Sequence, residues 1–315
     1  MIAEQLPLFP QKNLKGEYGP PLSSAKGPLT RNSSLGAAMV GFRDYMVRQG
    51  FTENTIKAFL SDLRILAGYL GAGRAIGDIS TEDLKGFLTY LLYYRGKPCK
   101  PKSYARRVTT LKVFFAWLAE EKIIPTDPAA PLVHHRVTTP LPRILYEGQI
   151  AKLLEATERL MRQGDARPHL LVSLLLHTGI KKGECMNIAL DHLDLSDPSS
   201  PVLYIRYDNP KMMHKERKLS LPAEIVPVLR QYLAQYQPQE RLFECTARNL
   251  EYVLDNVAEL AGLDGISFEM LRWTCAVRDY RAGMDPEKLR RKLGLSKVSW
   301  EQTEKKLKKL AAPAL

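Results

Sequence analysis

"IPTDPAAPLVHHRVTTPLPR", residues 124–143, is the stretch that decides how this chain divides. Five of its residues are proline and no apolar periodicity runs through it. Each proline fixes φ and removes a backbone donor, so the stretch joins units rather than continuing a helix or strand. The chain of 315 residues is long enough for a core on either side. Outward from the connector, one helical region covers 34–123, a second mostly helical region covers 144–311, and residues 1–33 precede both.

N-terminal to the connector, "NTIKAFLSDLRILAGYL" (54–70) places Ile56, Phe59, Leu60, Leu63, Leu66 and Leu70 three or four residues apart, one apolar stripe of a helix. "STEDLKGFLTYLLYY" (80–94) opens on Ser80 and Asp83, the spacing of a capping box. "KSYARRVTTLKVFFAWLAEEK" (102–122) repeats the helical spacing through Val108, Leu111, Phe115 and Leu118. These stretches predict a compact module of four or five helices. Residues 1–33 carry Pro, Gly, Ser and Lys without periodicity and read as a disordered or loosely attached arm; its one apolar patch, "LPLFP" (6–10), is short.

C-terminal to the connector the pattern is again helical, with one interruption. "VLYIRY" (202–207) and "RKLSL" (217–221) are rich in β-formers and predict a hairpin. The expected fold class is therefore mainly α, with a small antiparallel β-sheet in the second domain. Near the end, "SWEQTEKKLKKLAA" (299–312) has a Ser-x-x-Gln opening that predicts a helix from Ser299. Trp300, Thr303, Leu307, Leu310 and Ala311 share one face of that helix, and Lys305, Lys306, Lys308 and Lys309 lie mostly on the other. The stripe packs on its own domain, or it joins the chain to another copy or to an active partner.

Charge narrows the function. Forty-six Lys and Arg against 34 Asp and Glu leave a net charge of +12, which suits a polyanion because each cation laid on a phosphate releases counterions. The densest basic run, "RGKPCKPKSYARRVTTLK" (95–112), holds Arg95, Lys97, Lys100, Lys102, Arg106, Arg107 and Lys112 and no acid. Its lysines precede a predicted helix start, where backbone N–H groups also favour phosphate. Double-stranded DNA is the partner this pattern predicts. No apolar run is long enough for a membrane span and no signal peptide is apparent, so a cytoplasmic, nucleoid-associated protein is expected. Cys99, Cys185, Cys245 and Cys275 form no CxxC pair and read as reduced thiols. The six histidines (134, 135, 169, 177, 192, 214) lack metal-ligand spacing, so neither metal nor cofactor is expected.

Three further stretches carry a resemblance. In "HTGIKKGECMNIALDHLDL" (177–195), the residues Thr178, Gly179, Ile180, Gly183, Glu184, Leu190 and Asp194 fit the first signature of the tyrosine recombinase, or phage integrase, family, with Lys181 where the signature has arginine. In "SFEMLRWTCAVRDYRAGMDPEKLRRKLGLS" (267–296), Arg272, Thr274, Ala276, Gly283, Leu293 and Gly294 fit the second, with Glu269, Trp273 and Leu295 at its histidine positions. "PKMMHKERKLSLP" (210–222) resembles the hairpin that carries the family's lysine, matched by Lys211 or, allowing for loop length, Lys215. "TENTIKAFLSDL" and "AWLAEEKIIPTDPA" resemble the family's N-terminal core-binding, SAM-like domain. The resemblance spans roughly residues 36–310 and is to its Xer-like members.

The resemblance implies a DNA-cutting chemistry. A tyrosine attacks the phosphodiester, arginines hold the phosphate oxygens, a lysine protonates the leaving oxygen and histidines move protons. Nine residues after the Leu-Gly-His histidine the family has its tyrosine; nine after Leu295 stands Glu304, and no tyrosine follows Tyr280. The degenerate family positions are thus Lys181, Lys211, Glu269, Arg272, Leu295 and Glu304. Lys181, Lys211, Lys215 and Arg272 remain as phosphate contacts beside the basic run, while Trp273 reads as core. The expected protein is an inactive recombinase relative that clamps duplex DNA between two domains. The alternatives are an active recombinase or integrase with another nucleophile, and an assembly subunit for an active recombinase.

Overall fold

The computed structural model describes residues 28–133 and 140–312, except the side chain of Lys211. The patch at 6–10, most of the predicted arm, and His134 and His135 lie outside the described residues. Two compact units divide after residue 139.

Among the described residues, four α-helices build the first unit: α1 (Leu35–Arg48), α2 (Glu53–Leu70), α3 (Thr81–Tyr93) and α4 (Pro101–Glu120). Local chemistry sets their starts. Ser34 and Thr52 cap α1 and α2 through their hydroxyls, and Ser80 with Asp83 forms the capping box of α3. Proline occupies the first turn of α4, where its missing N–H costs nothing. The stripe of α2 faces inward, with Phe59, Leu60, Leu63 and Leu66 buried against Phe42, Phe87, Phe114 and Phe115. Phe114 stands edge-on to both Phe42 and Phe115, with centroids 5.1 Å apart in each pair. The start of the connector joins this core: Ile124, Ala129 and Leu132 are buried in it. At the other end, Leu29 packs against the same cluster, so residues near the end of the predicted arm are part of the unit.

The second unit is built around α6 (Arg167–Thr178), whose six residues Leu170, Leu171, Val172, Leu174, Leu175 and Leu176 are all buried. Packed around it are α5 (Glu147–Arg162), α8 (Ile225–Tyr236), α9 (Ala247–Leu260) and α10 (Phe268–Arg281). The hairpin predicted from β-formers is present as β2 (Val202–Ile205) and β3 (Arg217–Ser220), antiparallel with Leu203 opposite Leu219 and Ile205 opposite Arg217. A third strand, β1 (Leu193–Asp194), extends the sheet on the β2 side; its two residues were too few to read from sequence. A short α7 (Lys182–Met186) follows α6, and α11 (Pro286–Lys292) and α12 (Lys297–Ala311) close the chain.

The last helix is capped three residues before the position expected. Ser296, not Ser299, is its cap: the Ser296 hydroxyl accepts from Ser299 N at 3.2 Å, and Trp300 N bonds to Ser296 O at 2.9 Å. Its stripe packs on its own unit, with Trp300 and Leu307 buried beside Ala276, Val277, Leu289 and Leu293. Among the described residues no helix is long and apolar enough to cross a membrane.

Candidate functional site

Three turns of the second unit meet at one place. The first follows α6, where Gly179 adopts φ +60° and ends the helix in the left-handed region. A Cβ there would lie 3.0 Å from Leu293 and 3.2 Å from the Cys275 sulfur, so glycine also permits the close approach of α10. The second turn is Leu293–Gly294, where Gly294 has φ +59° and a Cβ would press within 2.6 Å of the Arg217 guanidinium. The third is the hairpin end that brings Tyr207 and Arg217 inward.

Arg272, on α10, donates to Gly179 O and, at 2.6 Å, to Leu293 O. Lys181 donates through Nζ to Gly294 O at 3.1 Å and lies 3.6 Å from Glu184 Oε1. The two cations that the sequence singled out are thereby tied to the same pair of turns, and both line one cleft of about 610 Å³. Burial lowers the Lys181 pKa, and the neighbouring Arg272, Arg217 and Lys215 push it the same way against the pull of Glu184.

Behind these cations lies a network that sequence reasoning missed. Glu184 is buried, and Arg217 grips its two oxygens at 2.9 and 3.2 Å. Lys181 N donates to the same carboxylate at 2.9 Å, and so does the Tyr207 hydroxyl. Burial alone would raise the Glu184 pKa; the Arg217 contacts, the Lys181 N–H and the Tyr207 hydroxyl outweigh it and hold it at about 2. Burial and the Glu184 carboxylate push the Tyr207 hydroxyl up to about 12. Arg217 also donates through Nε to Lys292 O at 2.7 Å, which pins the turn carrying Gly294. A buried carboxylate within a motif was the available signal, because such a group requires a cation.

The remaining predicted positions fall as follows. Glu269 is exposed in the first turn of α10 and lines the cleft; Trp273 is half-buried, packs against the small core beneath α12 and also borders that cleft. Leu295 is half-buried and packs against the small core beneath α12, where it offers no proton-transfer group. Glu304 pairs with Lys308 on its own helix at 3.0 Å. Lys215 is half-buried at the end of a 3-10 turn, Pro210–Lys215, that also contains Lys211, whose side chain is not described.

The basic run of the first unit divides in two. Lys97, Lys100 and Lys102 are exposed and Arg95 half-exposed, and none of them has an ion-pair partner among the described residues. Arg106 and Arg107 do have one. Asp62 of α2 accepts from Arg106 at 2.9 Å and lies 3.3 Å from Arg107, which is 8% exposed and also donates to the Cys99 sulfur. Lys112 donates to Ala130 O of the connector at 2.9 Å. The run itself holds no acid, but it is not unopposed: Asp62, from another helix, engages Arg106 and Arg107. Its sign was in the sequence, since Asp62 falls three residues after Phe59 and four before Leu66, on the apolar face of α2.

Residues 143–303 match the phage integrase family, and residues 40–122 match the phage integrase N-terminal SAM-like domain. The chain is 26% identical over 261 residues to the tyrosine recombinase XerC of Staphylococcus epidermidis, covering 79% of this chain and 84% of that protein. Its fold resembles a lambda integrase dimer bound to a COC′ core site, with a TM-score of 0.67 at 16% identity over 85% of this chain and 76% of the other. It also resembles the Tn1549 transposon integrase in complex with transposon right end DNA, with a TM-score of 0.66 at 18% identity over 89% of this chain and 100% of that one.

Proposed function

The chain belongs to the phage integrase family, and from that membership we propose that it binds duplex DNA without cutting it. It holds the duplex with both of its units, as a structural or regulatory protein of recombination or integration, in the cytoplasm and on the nucleoid. The single observation that carries the loss of chemistry is Glu304. It stands nine residues after Leu295, where the family's pattern has the nucleophilic tyrosine, and its carboxylate is paired to Lys308. A carboxylate there repels the phosphate that a phenolic oxygen would attack. Leu295 and Glu269 further remove proton-transfer groups, and Lys181 keeps positive charge but lacks the planar fork of arginine.

Two other tyrosines bear on the alternative, an active enzyme with a different nucleophile. Tyr280 is eight residues beyond Arg272 on the same helix, about 12 Å along its axis. Tyr207 reaches the network itself, but its proton is committed to Glu184 and its pKa is raised to about 12, the opposite of an activated nucleophile. Both facts favour the inactive reading. Incubation with supercoiled plasmid tests it: the topoisomer distribution should stay unchanged, and nicked or relaxed product that depends on the protein would overturn the proposal.

A further inference from the structure

Where α3 ends, the chain leaves two neighbouring rings in water. Tyr93 is 74% and Tyr94 75% exposed, their centroids are 6.4 Å apart, and neither belongs to the core of the first unit. Leu92 beside them is 46% exposed. Tyr104, in the first turns of α4, adjoins the same patch: burial, Cys99 and Tyr93 together raise its pKa. Arg95 follows directly, with its N–H bonded to Tyr90 O at 2.9 Å, so the basic loop folds back on the end of α3. Lys97, Lys100 and Lys102 complete the loop and the start of α4.

Rings and cations are thus interleaved on one short surface. The three side chains of the basic run that have partners within the unit, Arg106 and Arg107 with Asp62 and Lys112 with the Ala130 carbonyl, lie beyond it in sequence, and the acid they engage is not shared with the loop. An apolar partner would leave four cations unpaired, whereas a duplex offers phosphates for the cations and the apolar C–H surface of its sugars and groove-facing thymine methyls for the rings. We infer that Tyr93 and Tyr94 lie against the sugar and groove-edge surface of duplex DNA while Arg95, Lys97, Lys100 and Lys102 hold the flanking phosphates. This assignment rests on the DNA-binding reading above and adds a contact of a different kind, one whose strength does not depend on salt.

Salt dependence separates the two kinds of contact. Fluorescence anisotropy of a labelled duplex, titrated with the full chain across a series of salt concentrations, gives affinity and slope together. The variant carrying Tyr93→Ala and Tyr94→Ala should bind about tenfold more weakly at every salt concentration, with the wild-type slope, from the apolar ring surface no longer withdrawn from water. Replacing Lys97, Lys100 and Lys102 by Ala should instead flatten the slope by up to about three units. A tyrosine variant that binds as the wild type does, including one that only loses self-association, overturns the assignment. Wild-type protein that binds no duplex at all overturns the DNA-binding reading itself. A second measurement needs no variant: DNA should protect Tyr93 and Tyr94 of the wild-type chain from nitration, and unchanged nitration in the bound complex overturns the inference.

Discussion

Arg217 joins two parts of the second unit through one guanidinium, pairing with Glu184 on one side and with the Lys292 carbonyl on the other. The pair is buried, so removing one partner leaves an uncompensated charge. Arg217→Ala should cost about 3–5 kcal/mol in denaturant unfolding, and a loss within experimental error would show that the pair carries no stability. Glu184 gives a pH test of the same contact. Its folded pKa lies below the ordinary carboxylate range, so its contribution is complete above that range and disappears as pH falls toward about 2. The stability gap between wild type and Glu184→Gln should therefore be widest near neutral pH and close on acidification; a constant gap would contradict the assignment. Glu304→Tyr is the converse case. It should restore no plasmid relaxation, because Lys181, Glu269 and Leu295 also depart from the family's pattern, and recovered relaxation would mean that these positions are not limiting.

The helices were legible where their own residues decide them. Ser80 with Asp83, the stripe of α2 and the run of α4 each hold within one element. What could not be read lies between elements. Arg217 and Glu184 are 33 residues apart, and only the register that sets Ile205 opposite Arg217 turns the hairpin end toward the turn after α6. Asp62 and Arg107 are likewise brought together by the packing of α2 on α4. Local competition shifted α12, since Ser296 and Ser299 both offer a capping hydroxyl and the earlier one is used. That helix buries Trp300 and Leu307 within its own unit. Ending the chain at Ser299 should consequently destabilise the second unit by roughly 3–6 kcal/mol, from two large apolar side chains. A truncated chain of unchanged thermal stability would return the stripe to a partner-binding role.

At the scale of the whole molecule, the net charge of +12 pointed to a polyanion before any motif was read. Structure then sorted that charge. Some cations tie elements together within one unit, as Arg107, Lys112 and Arg217 do, and others remain on the surface or in the cleft, as Lys97, Lys100, Lys102 and Lys181 do. Composition cannot make this distinction, because the partners that occupy the first group, Asp62, the Ala130 carbonyl and Glu184, come from other parts of the chain. The proposed function is that of a fold that keeps its grip on DNA and lacks the tyrosine that would cut it. A labelled, nicked duplex tests both halves at once when each binding reaction is divided between a native and a denaturing gel. A DNA-binding protein without the nucleophile gives a shifted band on the native gel that fades steeply with added salt, and no label in the protein band after denaturation. Label that stays with the denatured protein, or a duplex that is never shifted, would contradict the proposed function.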